Sequence, residues 1–136
     1  MTVAIDTVGK GALCIDLVGV ASVAAAGQGY IANPEGVNLL ILRTTLVVLV
    51  PSALAGVLSV GIAAVTVSAA DIVNALAMNV TAGYCYNGHA PQTTAKTQIS
   101  GPAIWTPTTY ITFSGASYSL AGLHAKLFVE YLRIDA

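Results

Sequence analysis

Charge is what this sequence has least of: of its 136 residues, five are Lys or Arg and six are Asp or Glu, 8% in all. An ordinary soluble domain carries roughly 25% charged residues. Much of this surface must therefore be Ser, Thr, Asn, Gly and Ala, or be covered by another molecule. Lys10, Arg43, Lys96, Lys126 and Arg133 are scattered along the chain. No aromatic stripe runs between them, which argues against nucleic acid as a partner. Cysteine is almost missing too. Cys14 and Cys85 match no zinc or redox spacing. A disulfide between them has weak support, and two buried thiols acting as small hydrophobes are the simpler expectation. The opening MTVAIDTVGK has Asp6 early and no basic stretch before an apolar core, so no secretory signal is expected.

Catalytic groupings are also lacking. The two histidines are His89 and His124. Cys85 and His89 could supply two metal ligands, whereas structural zinc takes four. Ser59 sits in Val57-Leu58-Ser59-Val60-Gly61 without the first glycine of a nucleophile elbow. The six carboxylates are dispersed, which gives no support to paired acid–base chemistry. Gly9-Lys10-Gly11 lacks the spacing of a phosphate loop. Asn79-Val80-Thr81 fits a glycosylation acceptor by chance. The expectation is a protein without catalytic residues, cofactor or metal.

What the sequence has in abundance is apolar residues, 56% of the chain, and one uncharged run from Thr44 to Ala70. That run is long enough for a membrane helix. Pro51, Gly56 and Gly61 would interrupt it, however, and its many Val, Ile and Thr residues favour strands. No Lys or Arg cluster flanks it to set an orientation. No membrane association is expected.

The rest of the chain reads as strand. Leu13–Val23, Tyr30–Ala32, Val37–Val50, Gly56–Ala64, Val80–Tyr86, Ile99–Trp105, Thr109–Ser114 and Gly122–Ile134 are the candidate strands. Asn33-Pro34-Glu35-Gly36 is the clearest turn. Asp16 should face solvent or pair with a basic residue, and Arg43 should pair with a carboxylate or snorkel to an edge. Gly61 signals a bulge or a close backbone approach. In the last strand, Leu123, Ala125, Leu127, Val129, Tyr131 and Arg133 should face one way. His124, Lys126, Phe128, Glu130, Leu132 and Ile134 should face the other. Ile72, Val73, Leu76 and Ala77 have the spacing of one helical turn, with Ser68 three residues before Asp71 as a weak cap. The expected fold is all-β: a jelly-roll-like antiparallel β-sandwich of about eight strands with one short helical turn. Residues 1–12 would be an N-terminal arm or edge strand, with a turn at Gly9-Lys10-Gly11. Residues 13–136 would be a single sandwich domain.

Tyr84, Tyr86, Trp105 and Tyr118 lie in or beside expected loops. Aromatic residues there suit a subunit interface. They would equally suit a sugar-binding groove, although a matching set of Asp, Asn and Arg donors is lacking. The long apolar strands need more cover than one small sandwich gives, so a homo-oligomer, dimer or trimer, is expected.

Four segments carry a resemblance. They are Ile31-Ala32-Asn33-Pro34-Glu35-Gly36 with the strand behind it, Leu58-Ser59-Val60-Gly61-Ile62-Ala63-Ala64, Ser68-Ala69-Ala70-Asp71-Ile72-Val73-Asn74-Ala75-Leu76, and the terminal Ala125–Ile134 strand. Together, over residues 28–134, they resemble small virion structural proteins of tailed bacteriophages. The resemblance implies a capsid decoration, or cement, protein on the outer surface of the capsid, bridging and stabilising major capsid subunits. The alternative it leaves open is a carbohydrate-binding jelly-roll module of a tail fibre or appendage. The segment Ala64–Ala70 is less polar than its counterpart in the related pattern, which leaves the docking surface undecided.

Overall fold

The computed structural model describes residues 9–21, 27–64, 67–87 and 103–134. They form an all-β sandwich of two antiparallel sheets. The strands are β1 (Gly9–Val18), β2 (Gly29–Ala32), β3 (Asn38–Val50), β4 (Val57–Ala63), β5 (Val73–Ala77), β6 (Cys85–Asn87), β7 (Ala103–Trp105), β8 (Tyr110–Ala116) and β9 (His124–Ile134). One sheet has the order β1-β9-β3-β6, with β7 also paired to β3; the other has the order β2-β8-β4-β5. The pairing is nested from the two ends of the chain inward: β1 with β9, β2 with β8, β3 with β7 and β6, β4 with β5. The short turns seen in the sequence thus join strands in a structure held mostly by long-range pairs.

β9 alternates as its sequence does. Ala125, Leu127, Val129 and Tyr131 are buried, and His124, Lys126, Phe128 and Glu130 are more exposed. β3 lies between β9 on one side and β6 and β7 on the other. Its Leu39 and Ile41 are fully buried, and so are Thr44, Leu46 and Val48. The phase changes because the register slips between Ile41 and Arg43; the extra residue leaves both Leu42 and Arg43 exposed. With Leu58, Val60, Ile72, Val73, Met78, Trp105, Ile111 and Phe113, the side chains of Leu39, Ile41, Leu46 and Val48 fill one core between the sheets. Each large aliphatic contributes about 1.5–3 kcal/mol by leaving water.

The helical turn expected at Ile72, Val73, Leu76 and Ala77 is not formed. Among the described residues there is no helix, and Val73–Ala77 is strand β5, paired with β4. The apolar spacing misled because β5 is bulged. Leu76 pairs with Leu58 but Val73 pairs with Val60, so one extra residue is accommodated there. Ala75 takes the strain at φ 52°, its N–H donating to Ser59 Oγ at 3.0 Å. Ser68 and Asp71 therefore cap nothing. Ser68 Oγ lies 2.8 Å from Ser114 Oγ, and Asp71 Oδ2 accepts from the Ile62 N–H at 3.3 Å. The described residues form nine strands, against about eight expected. Gly9–Gly11 is ladder rather than turn, and the expected Val80–Tyr86 strand shrinks to Cys85–Asn87.

These contacts explain the long uncharged run. Residues 67–71 cross the outer face of the β2-β8-β4-β5 sheet, over Gly61 and Ser114. A Cβ on Gly61 would stand 2.6 Å from the Ala69 Cβ, so only glycine allows the crossing segment to lie flat. Gly61 thus marks a close backbone approach. The run is β3, β4 and a covering segment of small residues. No helix among the described residues is long and apolar enough to cross a membrane.

Candidate interaction surface

The outer face of the β1-β9-β3-β6 sheet is built in cross-strand rows. Ala12, Glu130 and Arg43 stand side by side, as do Cys14, Phe128 and Thr45. Asp16, Lys126, Val47 and Cys85 make the next row. Phe128 is the apolar centre, 43% exposed. It lines an open groove of roughly 520 Å3 with Cys14, Arg43, Thr45 and Glu130.

The charges around Phe128 pair within the face. Arg43 Nε donates to Glu130 Oε2 at 2.7 Å. Asp16 Oδ1 lies 3.1 Å from His124 Nε2 and 3.6 Å from Lys126 Nζ. The His124 hydrogen bond, aided by the Lys126 charge, holds the Asp16 carboxyl below its ordinary pKa. Both sequence expectations for Asp16 and Arg43 therefore resolve into cross-strand ion pairs.

A second polar cluster fixes the end of the sandwich. Asn33 Oδ1 accepts from the Glu35 and Gly36 N–H groups at 2.9 and 3.2 Å, and its amide donates to the carbonyls of Val37 and Trp105, both at 2.9 Å. Gly36 supplies the positive φ, 70°, that closes this turn. The turn presents Glu35 to Arg133, whose Nε and Nη2 donate at 2.9 and 3.0 Å, and to the Tyr131 hydroxyl at 2.7 Å. The Arg133 hydrogen bonds, then that of Tyr131, lower the Glu35 pKa to about 2. Burial, then the Glu35 hydrogen bond, pushes the Tyr131 phenol up.

The aromatic candidates do not form one patch. Trp105 is fully buried, and its Nε1 donates to the Thr109 carbonyl at 3.0 Å. It pairs with Leu39 near the start of β3, whereas Tyr86 pairs with Leu46; seven residues of strand separate them by about 23 Å. Tyr86 is half-buried, and Tyr84 and Tyr118 are exposed. Tyr84 sits beside the Val48 end of β3, where its carbonyl accepts from the Val48 N–H at 2.9 Å. Tyr118 lies in the β8–β9 connection, with its carbonyl near Gly56.

Cys14 and Cys85 are not buried as expected. Both are exposed and free, because their strand positions point away from the core. His89 and the loop around it lie outside the described residues, as do Met1–Val8 of the expected arm. Among the described residues no three His, Cys, Asp or Glu side chains gather as a metal site. Sequence reasoning placed Phe128 and its β9 neighbours on one face but did not single them out. The alternation of Leu123–Ile134 was the available signal; the rows added by β1 and β3 were not visible.

No family model, curated protein or solved structure matches this chain.

Proposed function

We propose that this chain is a non-enzymatic structural protein of a tailed-phage virion. It sits on the outer surface of the capsid as a decoration protein, bridging major capsid subunits and stabilising the shell. The observation that carries the reading is the outer face of the β1-β9-β3-β6 sheet. Phe128 stands exposed at its centre, with Arg43 matched to Glu130 on one side and Lys126 to Asp16 on the other. A protein docking here would bury an aromatic anchor without leaving an unpaired charge in the contact. Repetition over a symmetric shell would multiply a modest contact.

The test is binding to undecorated shells assembled from a tailed-phage major capsid protein of the same source as this chain. The expected result is saturable binding, a higher shell disruption temperature, and weaker binding by F128S with its circular dichroism unchanged. Absence of binding to shells overturns the reading. Binding to a glycan array instead would make the chain a carbohydrate-binding module of a fibre or appendage.

A further inference from the structure

We propose that the free edge of β1 pairs with β1 of a second copy, antiparallel and centred on Leu13, joining two sheets into one. The inference does not depend on the capsid reading; it concerns what completes the fold.

Exposed strand edges offer unpaired N–H and C=O groups to any other chain, and proteins keep them short, bulged or covered. The other outer strands of this sandwich follow that rule. β2 has four residues, and β6 and β7 have three each. β5 has five residues and carries the bulge at Ala75. β1 is the exception. It has ten residues, Gly9–Val18, all registered against β9 without a shift. It contains no proline, and among the described residues no strand pairs with its other edge. Apolar residues dominate it, as Ala12, Leu13, Cys14, Ile15, Leu17 and Val18.

Charge selects both the occupant and the register. The charged side chains of β1 are Lys10 and Asp16, both exposed and both on the outer face. They are three residues either side of Leu13. In an antiparallel pair centred there, Lys10 of each copy stands directly opposite Asp16 of the other, and Ala12 stands opposite Cys14. Leu13 meets Leu13 on the core side. A parallel pair would set Lys10 on Lys10 and Asp16 on Asp16. A slip of one residue would bring outer-face side chains against core-face ones. Lys10 has no ion-pair partner within its own chain among the described residues. The two-fold axis stands perpendicular to the sheet, so the two sandwiches lie side by side and the Phe128 faces remain uncovered.

Sedimentation velocity over a concentration series tests the pairing, with circular dichroism confirming that each variant keeps its strand content. The expected result is a reversible dimer whose dissociation constant rises about tenfold or more in K10E, since two cross-strand attractions become repulsions. D16K should weaken it likewise. An equimolar mixture of K10E and D16K should dimerise again, because opposite charges then face each other at both ends of the pair. In a second measurement, A12C on a C85S background should oxidise to a covalent dimer, cross-linked between position 12 of one copy and Cys14 of the other. A wild-type monomer at all concentrations overturns the proposal. So does a dimer indifferent to K10E, or a mixture that fails to recover. Shell binding by a monomer would leave the capsid reading standing while this one falls.

Discussion

Glu35 and Arg133 meet through two parallel hydrogen bonds, 2.9 and 3.0 Å, across 98 residues of chain. The pair ties the Asn33–Gly36 turn to the last strand, with the Tyr131 hydroxyl as a third donor. Because the Glu35 pKa falls from 4.5 unfolded to about 2 folded, its contribution is fully present above about pH 4.5. It is lost as pH falls through 2. Urea unfolding midpoints should therefore decline across that window in the wild type. E35Q should be less stable at pH 7 and show a flatter decline; an identical pH profile would contradict the assignment.

Trp105 is the single tryptophan and is fully buried, so its emission should be blue-shifted when native and move red on unfolding. W105F removes the Nε1 bond to Thr109 and part of the packing, and should cost about 1–3 kcal/mol. W105A should cost about 3–5 kcal/mol. Denaturant melts followed at a second wavelength, by circular dichroism, measure both.

Gly61 has the Ala69–Ala70 backbone against it. G61V should displace the covering segment, at a cost of about 1–3 kcal/mol. Limited proteolysis should then cut near residues 67–71 faster than in the wild type. Equal cleavage rates would mean the segment does not rest on Gly61.

Thr44 is fully buried, and its Oγ1 finds no hydrogen-bond partner among the described residues. T44V keeps the shape and removes the unsatisfied hydroxyl. It should raise stability by about 1 kcal/mol, read as a higher urea midpoint at unchanged m-value.

Cys14 and Cys85 lie on β1 and β6, three strand spacings apart, about 14 Å. A disulfide requires roughly 4.4–6.8 Å between Cα atoms. Both thiols should titrate with a disulfide-exchange reagent in the native protein, and oxidation should not produce an internally bridged monomer.

The sequence by itself determined the all-β character, the strand positions of β3, β4, β8 and β9, and the turn at Asn33–Gly36. Those signals are local: alternation with period two in Leu123–Ile134, a β-branched run in Val37–Val50, and a proline–glycine turn. The two faces of β9 could be read for the same reason. Only the tertiary structure decided the rest. Ile72, Val73, Leu76 and Ala77 satisfy a helical spacing, and it is the bulged ladder with β4 that makes Val73, Leu76 and Ala77 strand. Trp105 follows a polar loop in sequence, yet Leu39 on β3 draws it into the core. The thiols look like core hydrophobes but occupy outward positions that only register fixes. The same holds for the interaction surface: Cys14, Phe128 and Thr45 come from three strands and share a row only when β1 and β3 close on β9. Local pattern sets which residues are strand, while pairing between distant segments sets which side chains meet. That pairing depends on burial summed over the whole molecule, which no short window of sequence contains.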